Sequence, residues 1–487
     1  MSGASHGRID DMHANYIAGQ WLEGEGATRD INPSDVTDLV GEYAHATPAQ
    51  VDRAIGAARD AAGRWGLASA TQRAECLDAI GIELLRRKDE LGRLLAREEG
   101  KTLPEAVGEA ARAAAIFRFF AGEALRLRGD RLPQARAGVD VEVTREPVGV
   151  VGLITPWNFP LAIPAWKIAP ALAYGNAVVF KPADLVPGSA WALAEIISRA
   201  GLPEGVFNLV MGRGSVVGQA MLDDARIDAL SFTGSVATGR QVAQAATRRF
   251  AKVQMEMGGK NPLVVLDDAD LAQAVECAVQ GSFFSTGQRC TASSRLIVQR
   301  GIHDRFVRAM KARMAALRVD DALAPGTDIG PVVDARQLQQ DEEYLRIGRD
   351  EGATLACGGR RVARAKDGHY LEPALFTDCR NDMRICREEI FGPVAAVIPV
   401  ADYDEALALA NETEFGLSAG ICTTSLKHAT HFKRHAQAGM VMVNCPTAGV
   451  DPHAPFGGRK GSSYGPREQG TYAAEFYTTV KTAYTLA

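Results

Sequence analysis

Cys290 stands in the run Gly287-Gln288-Arg289-Cys290-Thr291. A thiolate is the strongest nucleophile a protein carries near neutral pH, but a free thiol is mostly protonated there. Such a cysteine needs a base or a positive field close by, and Arg289 is its immediate neighbour. Two other residues could complete a covalent chemistry. Asn158, in Pro156-Trp157-Asn158-Phe159, offers a side-chain amide that can donate to a developing oxyanion. Glu256, in Glu256-Met257-Gly258-Gly259-Lys260, offers a carboxylate that can act as a base. Taken singly, each is also an ordinary structural residue.

Two glycine-bearing stretches bear on anion binding. Gly212-Arg213-Gly214-Ser215-Val216-Val217-Gly218 resembles a dinucleotide loop. Its third glycine falls one place late for G-x-G-x-x-G, which favours a tight turn. Ser231-Phe232-Thr233-Gly234-Ser235 fits better, because it closes a strand and opens a helix whose N-terminus suits a pyrophosphate. His428, His431 and His435 have helical spacing, but without the Glu of H-E-x-x-H they read as a solvated helix face. No metal site is expected.

The elements that must position these residues follow from periodicity. A hairpin is expected over Ile17 to Leu22. Amphipathic helices are expected from Pro48, over Arg73 to Glu98 as one run, and over Pro104 to Arg126. Alternation between Asp130 and Arg145 predicts an exposed β-ribbon. Strands at Val148 to Ile154, Ala177 to Phe180, Val206 to Met211 and Ala229 to Phe232 alternate with helix-length segments, which implies a doubly wound parallel sheet. Ligands of such sheets sit at the carboxyl ends of the strands. A second α/β series begins near Gly258, with strands at Leu263 to Leu266, Arg295 to Val298, Phe391 to Val400 and Met440 to Val443 and a helix at Ile302 to Leu317. The tail, Ala474 to Leu486, reads as β and could pair with the ribbon of its own or another subunit.

Seven motifs, in their order and spacing, resemble the aldehyde dehydrogenase superfamily over nearly the whole chain. They are Trp157-Asn158-Phe159-Pro160, Lys181-Pro182-Ala183, Phe232-Thr233-Gly234-Ser235, Glu256-Met257-Gly258-Gly259-Lys260, Gly287-Gln288-Arg289-Cys290, Glu388-Glu389-Ile390-Phe391-Gly392-Pro393 and Pro455-Phe456-Gly457-Gly458. The resemblance implies an α/β fold with a Rossmann-type cofactor domain (1–129 and 146–257), an α/β catalytic domain (258–456) and a β oligomerisation segment (130–145 and 457–487). It implies that Cys290 attacks an aldehyde, that Asn158 and the Cys290 N–H hold the oxyanion, and that Glu256 activates the water that hydrolyses a thioester. For a dinucleotide it implies Thr155, Trp157, Lys181, Ala183, Asp184, Gly214, Phe232, Thr233, Gly234, Ser235, Glu389 and Phe391. Asp184 stands where many NAD-preferring relatives have Glu, one methylene longer, which leaves room for a 2′-phosphate. NADP is therefore expected, with NAD use possible.

Within the superfamily, Lys181 to Pro187 and Gly449 to Ser463 resemble most the α-ketoglutarate semialdehyde (2,5-dioxopentanoate) dehydrogenases. That implies Arg112 and Arg289 as readers of a substrate carboxylate, with Phe159, Ile163 and Phe456 as apolar walls. The alternative for Arg112 is a salt bridge to Glu105 or Glu109. Other ω-carboxy aldehydes such as succinate semialdehyde would use the same chemistry. A CoA-acylating member would generally lack the glutamate matched by Glu256, and an intact Cys290, Asn158 and Glu256 argue against a non-catalytic one.

Length and composition set outer bounds. A chain of 487 residues predicts two or three domains. A net charge of −5 without Lys/Arg runs gives no reason to expect nucleic acid or a membrane surface. Eight scattered cysteines without C-x-x-C argue against a zinc site or disulfide framework and for a reducing compartment. With no leader-like segment at Met1 to Asp11 and no long apolar run, the expected location is the cytoplasm. The ribbon and tail predict a homodimer or homotetramer.

Overall fold

The structure, a computed structural model, describes residues 12–486. The N-terminal stretch read above for a leader lies outside the described residues. Two large sheets carry the chain. In the first, five parallel strands lie in the order Lys252–Glu256, Ala229–Thr233, Val150–Ile154, Ala177–Lys181, Phe207–Leu209. From Val150–Ile154 the chain first builds outward on one side, through Ala177–Lys181 and Phe207–Leu209. It then returns to build on the other with Ala229–Thr233 and Lys252–Glu256. That reversal is a topological switch point, where the carboxyl ends of neighbouring strands open a crevice. The Thr155-to-Phe159 loop and the Gly234-Ser235 turn both emerge there.

Parallel strands covered on both faces must be apolar throughout, and Val150, Val151, Leu153, Val178, Val179, Phe180 and Leu209 are all buried. Helices with small inward faces cover them. The helix Leu103–Ala124 turns Ala106, Ala110, Ala113, Ala114, Phe117 and Phe120 to the core, and its alanines allow close approach to Ala162–Ala173. The second sheet has six parallel strands and one antiparallel edge, Thr354–Cys357. Asn261–Val265 and Ser293–Gln299 run side by side near its middle and flank the loop that carries Cys290 in sequence.

Several expectations need correction. Arg73 to Glu98 is two helices, Ala70–Arg86 and Lys88–Glu99, because Arg87 leaves the helical conformation and is pinned by Glu90 (2.6 Å) and Glu195 (2.7 Å). Periodicity cannot register a break made by ion pairs to a distant helix. The strand expected from Phe391 begins at Val394, since Phe391 adopts φ +65° and is followed by Gly392-Pro393. The tail is a helical turn, Ala474–Tyr477, before the strand Thr478–Leu486. That strand pairs antiparallel with Val139–Pro147 of its own chain, from Thr478 opposite Pro147 to Leu486 opposite Val139. Within 457–487, Ser463–Tyr464 joins the first sheet instead of the ribbon, pairing with Glu256 and Met255. His428 and His431 are half-buried against Tyr403, whose hydroxyl meets His431 Nδ1 at 2.7 Å, so that helix face is only partly solvated.

Candidate active site

The loop leading into Cys290 is held in a backbone conformation that few sequences tolerate. Ser285, Thr286 and Gly287 have φ of +50°, +57° and +68°, in the left-handed region. Two non-glycine residues there imply that the surroundings over-determine the loop. Those surroundings are visible. Glu105 accepts from the Ser285 N–H (2.8 Å) and hydroxyl (3.0 Å), the Thr286 hydroxyl donates to the Gly330 carbonyl (3.2 Å), and Gln288 Oε1 accepts from the Val333 N–H (2.9 Å). At Gly287 a Cβ would meet the Gly392 carbonyl, so only glycine fits.

Cys290 follows this loop and lines a cavity of about 310 Å³ at the switch point, together with Asn158, Trp157, Ile163, Glu389 and Phe391. Thr233, Gly234, Ser235 and Gln337 complete its far wall. Burial, with Glu389 and Glu256 nearby, pushes the Cys290 thiol up to about 12. Arg289 does not offset this, because its side chain is committed elsewhere: to Glu105 at 3.0 Å and Ser285 Oγ at 2.9 Å. The adjacent arginine braces the loop instead of supplying a positive field to the sulfur.

Asn158 is buried, and its Nδ2 donates to the Gln288 carbonyl at 3.0 Å. An amide nitrogen carries two hydrogens, so this bond uses one and leaves the other for the cavity. Glu389 accepts from the Gly259 N–H at 2.8 Å, and burial raises its carboxyl to about 7. A Cβ on Gly258 would collide with that carboxylate. Phe391 meets Trp157 edge-on, ring centroids 5.4 Å apart.

Glu256 lies behind the cavity and is not part of its lining. Its Oε2 accepts from the Ser463 hydroxyl at 2.5 Å. Burial, then the nearby Glu468 carboxylate, hold its carboxyl well above the usual range. Glu468 in turn pairs with the buried Lys167, which also donates to Ser231 Oγ at 2.7 Å.

The wall on the other side of the switch point opens into a cleft of about 880 Å³ that shares Trp157, Ser235, Gln337 and Gln340 with the first cavity. Asp184 and Arg213 line it, and Arg213 has no ion-pair partner among the described residues. Gly214 does not line it; it opens the turn Gly214–Gly218 with space around its Cα, so this loop contributes Arg213 in its stead. Lys181 is buried beneath, its amine lowered to about 8 by desolvation against the opposing pull of Asp184. Ala183 is half-buried beside Asp184, and neither Lys181 nor Ala183 is part of the lining.

A dinucleotide fits this surface. The helix Val236–Thr247 starts at Ser235, which lines both cavities, and a helix N-terminus there suits an anion. The hydroxyls of Thr155 and Thr233 are buried with no hydrogen-bond partner. Phe232 packs under Gly234, where any Cβ would strike its ring. Among the described residues no cluster of three His, Cys, Asp or Glu could hold a metal ion.

A separate mouth of about 740 Å³ is lined by Phe159, Arg112, Arg289, Glu105, Glu109 and Asp451, among others. Its charges largely cancel in pairs: Arg289 with Glu105, and Lys101 with Glu109 at 2.7 Å. Neither glutamate is left for Arg112, which has no ion-pair partner among the described residues. Phe456 is in neither cavity wall; it stacks on Trp166 with centroids 5.3 Å apart.

Sequence reasoning missed Arg213, Gln337, Gln340, Lys101, Glu105 as a loop clamp, and the Lys167–Glu468 pair. Only Arg213 had a local signal, its place in the glycine loop. Glu105 and the Lys167–Glu468 pair act through partners 180 and 301 residues away, and Lys101 reaches the Asn158 carbonyl 57 residues on.

The aldehyde dehydrogenase family profile matches residues 21–483. The chain belongs to that family. It is 44% identical over 478 residues to the alpha-ketoglutaric semialdehyde dehydrogenase of Bacillus subtilis (strain 168), covering 97% of this chain and 98% of that protein. Among solved structures it resembles betaine aldehyde dehydrogenase from Staphylococcus aureus in complex with NAD+, with TM-score 0.95, 34% identity, and 97% and 95% of the two chains covered. It also resembles an E. coli NADP dependent enzyme, with TM-score 0.94, 35% identity, and 99% and 100% covered. No helix of the described residues is long and apolar enough to cross a membrane.

Proposed function

We propose that this aldehyde dehydrogenase oxidises α-ketoglutarate semialdehyde to 2-oxoglutarate, with NADP preferred over NAD, through a thioester on Cys290. The observation that carries this reading is the convergence of Cys290, Asn158, Glu389 and Phe391 on one cavity, with an unpaired arginine in the mouth beside it. The Bacillus relative's activity supports the substrate.

Cys290 gives up its thiol proton to solvent and adds as the thiolate to the aldehyde carbon, and the carbonyl π pair moves onto oxygen as an oxyanion. The second hydrogen of Asn158 Nδ2 and the Cys290 backbone N–H receive that charge, donors already in place before the reaction. When bound, a nicotinamide dinucleotide would supply the hydride acceptor for oxidation at the aldehyde carbon, and the residues around Cys290 would hold it there. Glu389 and Phe391, both in the wall of the Cys290 cavity, would hold its nicotinamide end. Ser235, Gly234 and the unpartnered Thr155 and Thr233 hydroxyls would offer hydrogen bonds to its phosphates. Glu256 then takes a proton from the water that attacks the thioester. Its raised carboxyl makes it a stronger base than an exposed glutamate once ionised.

For the cofactor, Arg213 stands in the wall of the cleft without an ion-pair partner among the described residues, and Lys181 lies beneath it, which favours an extra phosphate. For assembly, the ribbon leaves Val480, Tyr484 and Leu486 exposed on its outer strand, which supports a dimer or tetramer of this chain. A panel of aldehydes, each assayed with NAD and with NADP, tests the reading. The highest kcat/KM is expected for α-ketoglutarate semialdehyde with NADP. A higher value for succinate semialdehyde or for betaine aldehyde would reassign the substrate.

A further inference from the structure

Lys101 has no part in the chemistry above, yet it is among the most deeply enclosed cations of the chain, 2% exposed. It stands between the helices Lys88–Glu99 and Leu103–Ala124. Burying an ammonium is costly unless good partners surround it, so its partners are informative. Its Nζ donates to Glu109 Oε2 at 2.7 Å and to the Asn158 backbone carbonyl at 2.8 Å, and lies 3.7 Å from the centroid of the Phe159 ring. The other oxygen of Glu109 accepts from the N–H groups of Leu161 (3.0 Å) and Ala162 (3.1 Å), at the start of the helix Ala162–Ala173. One buried ion pair therefore fastens both ends of the 158–162 loop to the helix Leu103–Ala124. That same helix, through Glu105, clamps Ser285 and Arg289 of the nucleophile loop. The two arms of the site thus share one support.

We propose that Lys101, acting with Glu109, is a positioning residue for the oxyanion donor. By fixing the Asn158 carbonyl and the loop that follows, it keeps the free hydrogen of Asn158 Nδ2 directed at the point where the substrate oxygen gains charge. The geometry explains why a cation is retained in a dry site. A methionine of similar length could fill the space, but it offers nothing to the Asn158 carbonyl and leaves Glu109 facing the loop alone. An ångström of misplacement at a reacting centre can cost about 100-fold in rate. The proposal rests on the reading of Asn158 as oxyanion donor.

The test is a double-mutant cycle on the rate of the first-turnover burst of reduced cofactor, which reports thioester formation. Lys101→Met should slow the burst by about 10- to 100-fold. Cofactor affinity, read by quenching of protein fluorescence, should stay within about twofold. Asn158→Ala should slow the burst at least as much. If Lys101 acts through Asn158, adding Lys101→Met to Asn158→Ala should cost no more than about a further twofold. Multiplicative losses would overturn the proposal, as would a normal burst in Lys101→Met. An unslowed burst in Asn158→Ala would instead sink the oxyanion assignment itself. Glu109→Gln keeps an oxygen for Leu161 and Ala162 while removing the charge. It carries the same cycle should Lys101→Met not fold, and should fall between wild type and Lys101→Met.

Discussion

Replacing Arg112 by methionine should discriminate between substrates by their charge. Arg112 lies on the helix Leu103–Ala124 in the wall of the mouth, half-buried and without an ion-pair partner among the described residues. Every other basic side chain in that wall is engaged, Lys101 by Glu109 and Arg289 by Glu105. Arg112 is thus the cation left for a substrate carboxylate. A hydrogen bond to a charged group contributes about 1.5–3 kcal/mol, and solvent at a half-exposed site moves the value toward the lower end. At about 1.4 kcal/mol per decade, 1.5–2 kcal/mol corresponds to about 10- to 30-fold in kcat/KM for the acidic semialdehyde. A neutral aldehyde of similar length should lose less than about twofold or gain, because no unpaired charge remains in its path. Steady-state kinetics on both substrates with one cofactor measure the difference. Arg289→Met is the control. It releases Glu105 and loosens Ser285, so it should harm both substrates alike. Equal losses in Arg112→Met would refute the argument and make Arg112 a packing residue.

Arg213→Ala should raise the KM for NADP by about tenfold and leave that for NAD nearly unchanged, since one charge-assisted contact to phosphate is removed; equal effects on both cofactors would contradict a role at the 2′-phosphate. With the Cys290 thiol pushed up to about 12, the thiolate fraction in the cofactor-free enzyme rises with pH throughout the neutral range. Peptide-resolved iodoacetamide labelling of Cys290 should therefore accelerate about tenfold per pH unit between pH 7 and 9, and a plateau below pH 8.5 would contradict that environment. Light scattering should report a dimer or tetramer, and Val480→Lys with Tyr484→Lys on the outer ribbon strand should shift it toward smaller species; a fully active monomer would remove the ribbon's assigned part.

What was legible in the sequence depended on how locally each feature is encoded. The strand–loop–helix rhythm from Val148 to Ser235 is carried by adjacent residues, and the first sheet follows it closely. The Trp157-Asn158-Phe159 loop and the Glu389–Phe391 segment are each legible as short local motifs, and the fold brings Trp157, Asn158, Glu389 and Phe391 into one cavity. Arg289 shows the limit. Its neighbour in sequence is Cys290, but its guanidinium is fixed by Glu105, 184 residues away, so adjacency suggested the wrong electrostatic partner. Phe456 was expected in the substrate wall and is instead spent on Trp166. Gly214 and Arg213 exchanged parts for a similar reason: the glycine pattern located the loop, while only the fold shows which of its side chains faces the cleft. Glu256 was legible as a carboxylate at a strand end, but its tie to Ser463 depends on an edge strand of two residues that no periodicity can reveal.

A thioester on Cys290 that Glu256 helps to hydrolyse can be trapped and weighed. Glu256→Gln, mixed with α-ketoglutarate semialdehyde and NADP and quenched in acid within the burst phase, should yield about one reduced cofactor per site and then stall. Peptide mass spectrometry should place the acyl group on Cys290, and Cys290→Ser should show neither burst nor adduct while still binding cofactor. An adduct on another residue, or undiminished turnover in Cys290→Ser, would contradict the account.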